Sequence, residues 1–225
     1  MSSAEPETSG ELKKEWVRRE KKALGTFGFK SRPGNRYDLV FGDEWLGTIV
    51  LPKKADRGST TVFYHPPGCA LSHVPAQELI RELSGAGSKA PEQVTLPGGW
   101  YDIPSAATVF ELQELNPGNL AGVEEAVART TEMVEKQIIP WMRSKLSLDA
   151  VADSLSTPQA TPSAEAGRLR SLAVIEHLRG GRERAQALLN EFTRQFGNTG
   201  IKEIDEPDNR FAVELQKLLD SAGRE

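Results

Sequence analysis

The hydrophobic period of this 225-residue chain changes twice. It is helical at the start, strand-like from about Tyr37 to Leu112, and helical again from about Leu120 to the end. Helices repeat every 3.6 residues and strands every 2, so the pattern limits the architecture before any motif is sought. The connections between strand-like runs are hairpin-length, and no strand is followed by a long amphipathic helix. That favours an antiparallel sheet over parallel βαβ units. The expected class is α+β: an antiparallel sheet of about four to six strands, flanked by an N-terminal helix and a long helix, and followed by a C-terminal helical subdomain.

Turn chemistry marks the strands. Pro33-Gly34-Asn35 combines a fixed φ with residues that tolerate positive φ, and Tyr37, Leu39 and Phe41 alternate after it. Gly42-Asp43 is a hairpin candidate leading into the apolar run Trp45 to Leu51. Thr60 to His65 is β-branched and aromatic, and Pro66-Pro67-Gly68 stops it. Val74 to Leu83 fits a short helix with Pro75 in its first turn. Pro97-Gly98-Gly99 is expected as a turn, Trp100 to Ile103 as a short strand and Ala107 to Leu112 as the last one.

Residues 1–10 read as a disordered leader. Glu11 to about Ala23 reads as a helix with Leu12, Trp16, Ala23 and Phe27 near one face and Lys13, Lys14, Arg18, Arg19, Lys21 and Lys22 as its solvated remainder. The main helix spans about Asn119 to Lys145, and Pro140 inside it should kink or end it. Ser147 is expected to cap a short helix. The sheet domain is thus placed at 11–155, a linker rich in Ser, Thr and Pro at 156–167, and a helical tail at 168–225. Thr161 before Pro162 doubles as a cap. The tail's first two helices turn at Gly180-Gly181, with Leu188, Phe192 and Phe196 on the second, and Asp208 is the expected cap of the third. One such hairpin, which looks like half of a tetratricopeptide-type unit, cannot bury its own face and should pack on the preceding domain.

A net charge of −4 argues against broad nucleic-acid or anionic-membrane binding. No stretch approaches the ~20 apolar residues of a membrane span. Cys69 is the single cysteine, which fits a reducing compartment, so a cytoplasmic protein is expected. His65, Cys69 and His73 are all potential zinc ligands at helix-like spacing, but Pro66, Pro67 and Gly68 break any helix between them and no fourth ligand is near. No metal and no cofactor are expected. Gly85-Ala86-Gly87-Ser88-Lys89 has the wrong order and spacing for a phosphate loop. Trp45, His65, Trp100 and Asp102 mark a candidate ligand site between the sheet and the main helix, since a carboxylate beside aromatics can hydrogen-bond a ligand.

The leading helix, the segment Gly28-Phe29-Lys30, the turn into Arg36-Tyr37-Asp38-Leu39, the sheet and the long helix bending at Ile139-Pro140-Trp141 together resemble the bacterial family known as domain of unknown function 4304, over residues 11–155. The helical tail is similar to tails on some members. The resemblance implies a small acidic partner-binding protein, of the immunity or accessory kind found in bacterial toxin and defence loci, and carries over no catalytic residue. The expected function is therefore non-enzymatic binding of a protein partner, with no nucleic acid and no membrane, and with the oligomeric state open. A small enzyme or ligand-binding protein built around the candidate site above is the competing expectation.

Overall fold

The computed structural model describes residues 8–56, 58–64, 68–85, 95–98, 115–197 and 202–221, with the backbone alone at 64, 98 and 202–205. The chain is α+β, with an antiparallel sheet and helices on either side of it in sequence. It divides into two compact units. The first comprises residues 1–71 and 97–144, and the second 72–96 and 145–225. The division does not follow the expected boundaries at 155 and 168. The helix after the sixth strand packs against tail helices, so the chain enters the second unit early and returns to the first near Pro97.

The first helix, α1 (Ser9–Gly25), starts two residues before the expected Glu11. Thr8 forms a capping box: its hydroxyl accepts from the Glu11 N–H, and the Glu11 carboxylate accepts from the Thr8 N–H. Residues 8–10 thus belong to the helix and its cap rather than to a leader. Strands β1 (Lys30–Arg32), β2 (Arg36–Phe41) and β3 (Trp45–Val50) form an antiparallel meander. Arg32 pairs with Arg36 around Pro33-Gly34-Asn35, where Gly34 (φ 77°) and Asn35 (φ 57°) take the left-handed region that the turn residues announced. Phe41 pairs with Trp45 across the Gly42 turn. Two short strands, β4 (Lys53–Ala55) and β5 (Val62–Tyr64), make a separate ribbon. Strands β6 (Gly68–His73) and β7 (Leu96–Gly98) complete the five-stranded order β1-β2-β3-β6-β7. Pro97-Gly98, expected in a turn, lies in strand β7, the last in the strand order among the described residues. The expected strands at 100–103 and 107–112 lie outside the described residues.

The long helix starts as expected at Asn119, whose side chain accepts from the Gly122 N–H. It runs as α3 (Leu120–Met133), widens into one π turn (Val134–Ile138) and continues as α4 (Ile139–Ser144). Pro140 therefore neither ends nor breaks it. A proline has no N–H to give, and its ring crowds the carbonyl four residues back, at Lys136. The wide turn relieves both problems: the Ile139 N–H donates to the Val134 carbonyl, one residue further back than in an α-helix. Met142 of α4 reaches strand β3 at Gly47. A Cβ there would lie 2.5 Å from Met142 Sδ and 2.9 Å from the Phe41 ring, so the glycine permits this approach.

The core of the first unit contains a charged pair. Helix α1 packs on β4, β5 and α3. Its Glu20 is fully buried, and so is Lys53 at the start of β4. Lys53 Nζ donates to Glu20 Oε2 at 2.7 Å and to the Leu51 carbonyl at 3.0 Å. The Tyr37 hydroxyl donates to the same Glu20 oxygen at 2.9 Å, and the ammonium stands 5.1 Å from the centre of the Trp16 ring. Desolvation pushes the Glu20 carboxyl above its ordinary range and the Lys53 ammonium below its own, and their mutual attraction opposes both shifts. Outside, the basic side chains of α1 behave as a solvated face. Arg18 and Arg19 bind Glu15 and hold its carboxyl at about 2, and Arg19 also reaches Glu124 of α3.

The second unit is helical. Helix α2 (Val74–Ser84), α5 (Leu148–Ser154) and α7 (Arg182–Phe196) pack around α6 (Pro162–Leu178), and α8 (Lys202–Ser221) packs on α2 and α7. Helix α6 is buried on nearly every side, including Ala166, Leu169, Leu172, Ala173, Val174 and Ile175. Its charged positions are buried too. Arg168 donates to both Glu165 oxygens, at 2.7 and 2.5 Å, and to the Leu155 carbonyl at 2.8 Å. Gln159 N–H donates to Glu165 as well, which ties down the segment expected as a linker. Thr161 caps α6 before Pro162 and Ser147 caps α5, both as expected. Asp208 is not a cap. Helix α8 begins six residues earlier, with Pro207 inside it, and Asp208 is buried against Arg170 at 2.7 Å. Leu188 and Phe192 are buried within this unit, where Phe192 meets Phe211 edge-on at 5.5 Å and Phe196 at 5.8 Å.

Two outcomes follow for stability. Lys53→Met leaves a carboxylate buried beside an apolar chain and should cost about 3–5 kcal/mol, whereas Glu20→Leu/Lys53→Met should come within about 1 kcal/mol of the parent. A double-mutant cycle by urea unfolding checks this, and additive costs would refute it. Separately, hydrogen bonding to Arg168 depresses the Glu165 carboxyl. Its stabilisation is complete above the ordinary carboxylate range and is lost as pH falls through the depressed value. Glu165→Gln should therefore unfold at lower urea than the parent at neutral pH, with the gap closing on acidification.

Candidate functional site

Two of the three potential zinc ligands, Cys69 and His73, lie among the described residues. His73 is the N-cap of α2: its Nδ1 accepts from the Ala76 N–H at 3.3 Å, so that nitrogen carries no proton and is committed to the helix. The His73 N–H donates to Thr95 Oγ1, which also accepts from Gln77 Nε2. Cys69 is buried in β6, and desolvation pushes its thiol up to about 12, so it is neither a nucleophile nor a ready ligand. His65 lies outside the described residues. Among the described residues no group of three or more His, Cys, Asp or Glu side chains gathers as a metal site. Of the candidate ligand site, Trp45 is buried at the start of β3. His65, Trp100 and Asp102 lie outside the described residues.

Three other places have chemistry to weigh. The Glu20–Lys53 pair is the most polar, but both side chains have no exposed surface, so no substrate reaches it. A polar cavity of about 400 Å³ is lined by Leu148, Asp149, Glu176, Arg179 and Gly181. Its one cation is already matched: Arg179 binds Asp149 at 2.6 Å and Glu176 at 3.0 Å. Two carboxylates around one guanidinium leave no net attraction for an anion.

The third is a groove of about 610 Å³ between α7 and α8. The two helices face each other with Gln186 opposite Gln216 and Phe192 against Phe211, which makes them antiparallel. Ala185, Leu188, Leu189, Phe192, Phe211, Leu215 and Leu219 are turned inward and buried, the stripe that three-or-four spacing requires. On the outer side the groove takes Leu189, Thr193 and Arg194 from α7, and Ala212, Val213 and Lys217 from α8. Leu189 is its floor, while Val213 is half exposed, at 53%. The Thr193 hydroxyl donates to the Leu189 carbonyl at 2.9 Å and is spent on its own helix. Gln186 and Gln216 exchange amide hydrogen bonds at 2.7 and 2.9 Å, Gln186 also reaches Asn190, and Gln216 reaches Asp220.

No family model, no curated protein and no solved structure matches this chain.

Sequence reasoning missed the groove. The inward stripe of α7 was legible, but Thr193 and Arg194 on its far side read as ordinary surface. Val213 was the available signal, a branched apolar residue two positions from the core residues Phe211 and Leu215 of an otherwise regular stripe. For the cysteine, a thiol reagent applied to the native protein at mildly alkaline pH should leave Cys69 unlabelled, and unfolding in urea should release it. Rapid native labelling would contradict its burial and raised pKa.

Proposed function

We propose that this protein is a non-enzymatic binding factor for another protein, and that the α7–α8 groove is its recognition surface. The observation that supports this is the groove itself. It is open, its floor is Leu189, and Ala212 and the half-exposed Val213 give its wall apolar surface. Its polar groups are mostly committed to each other, as in the Gln186–Gln216 pair, so it offers contact area rather than reactive groups.

The finer reading is an immunity or accessory factor of a bacterial toxin or defence locus, acting in the cytoplasm. It is supported only by the family resemblance drawn over residues 11–155 and by the acidic net charge, which suits a basic toxin elsewhere on the surface. Among the described residues no helix is long and apolar enough to cross a membrane.

A photo-crosslinking residue in place of Val213 tests the surface. In the protein's own cells it should yield one discrete protein adduct that the same residue at exposed Lys14 of α1 does not. Equal adducts from both positions, or none from 213, would remove the groove from the proposal. Val213→Asp should abolish the adduct partner's binding while changing stability by less than about 0.5 kcal/mol, since the position is half solvated.

A further inference from the structure

We infer that the α7–α8 groove takes an acidic amphipathic helix of the partner protein. This rests on the binding role proposed above and adds the chemistry of what is bound.

The charge at the groove runs against the charge of the chain. The protein is net −4, yet the groove's lining carries two cations, Arg194 and Lys217, and no carboxylate among the described residues. Arg194 has no ion-pair partner among the described residues. Lys217 pairs with Glu214 one turn away on its own helix, 2.8 Å apart and in open solvent. Exposed pairs of that kind contribute little and exchange freely for a better-placed acid.

The two cations stand at opposite ends of the groove. Antiparallel pairing sets Gln216 level with Gln186, so Lys217 is level with residue 185 or 186 of α7. Arg194 is some eight residues further along, about 12 Å at 1.5 Å per residue. Between them lie the methyls and side chains of Leu189, Thr193, Ala212 and Val213. A helix seated there would place apolar residues at i+3 and i+4 on this floor. Acids at i and at i+7 or i+8 would span the same ~12 Å and meet both cations.

A helix fits better than an extended peptide. An extended chain brings unpaired N–H and C=O groups and needs partners for them. The groove's amides are already engaged with one another, and the Thr193 hydroxyl with its own backbone. A helix arrives with its backbone satisfied and asks only for apolar area and terminal charge, which is what the groove presents.

The test uses the full chain. A displayed library of helical peptides about 20 residues long, enough for a helix to form in isolation, is selected on the parent protein and counter-selected on Val213→Asp. The expected winners carry acids seven or eight positions apart around an apolar pair. Their affinity should fall about tenfold or more in Arg194→Glu/Lys217→Glu, and also in about 0.5 M salt. Peptides with lysines in place of those acids should regain binding to the same double variant. Winners that need the groove but carry no acids, or bind equally to the double variant, would overturn the acidic assignment while leaving the groove as a docking site. No groove-dependent winner at all would overturn both. Self-association of the parent that Val213→Asp abolishes would make the occupant a second copy of this chain and overturn the inference. Unchanged melting by circular dichroism in both variants secures each result against misfolding.

Discussion

Glu20 and Lys53 have both left water, and the first unit is arranged to make that tolerable. Removing either ion from water costs several kcal/mol, and attraction in the interior offsets this only when geometry and further hydrogen bonds are good. Here one carboxylate oxygen receives both Lys53 Nζ and the Tyr37 hydroxyl, and the ammonium also has the Leu51 carbonyl and the Trp16 ring. These groups come from α1, β2, the end of β3 and β4. The pair can form only when helix, meander and ribbon are in one register. A one-residue slip of β2 would turn Tyr37 away and put Asp38 in its place, setting a second carboxylate beside Glu20. The cost of such errors disfavours other registers.

The second unit solves a different problem. Helix α6 has no polar face to give to water, so it requires neighbours all round: α2 from before the long helix, α5, and α7. Its charged side chains then need internal partners, and they find them locally. Glu165 and Arg168 sit one turn apart and close on each other, and Arg168 also caps the free carbonyl of Leu155. Arg170 reaches across to Asp208 of α8 and lies 5.9 Å from the Phe192 ring. Helices α7 and α8 also pack on each other, and the groove opens between them.

What could be read from the sequence was local. The Pro33-Gly34-Asn35 turn, the Asn119, Ser147 and Thr161 caps and the α7 stripe all depend on residues within a few positions of each other, and each appears where the chemistry puts it. What was misread depended on distant partners. Helix α2 was assigned to the sheet domain, because nothing within it says that it packs on α6 and α8. His73 was weighed only as a metal ligand, and set aside, without asking what the next helix needed for a cap. Glu20 sits among lysines and arginines on α1 and reads as surface; only Lys53, thirty-three residues on, makes it core. Asp208 follows a proline and so resembles a helix start, but its true partner is Arg170. Of the candidate ligand site only Trp45 is among the described residues, and it is a core residue of β3.

The π turn shows how a local conflict is settled without sacrificing the element. Pro140 ought to stop the helix, and in a free peptide it would be costly at about 3 kcal/mol. Here Val134, Ile138, Ile139 and Met142 are all buried on the same long helix. Ending the helix would expose that stripe, and each such side chain is worth about 1.5–3 kcal/mol when buried. Widening one turn keeps the stripe together and gives up only the regularity of the ladder. The helix therefore continues past its proline because burial outweighs the backbone defect. The same weighing applies in reverse at Val213. There an apolar side chain stays half in water on a helix whose inner face is already full.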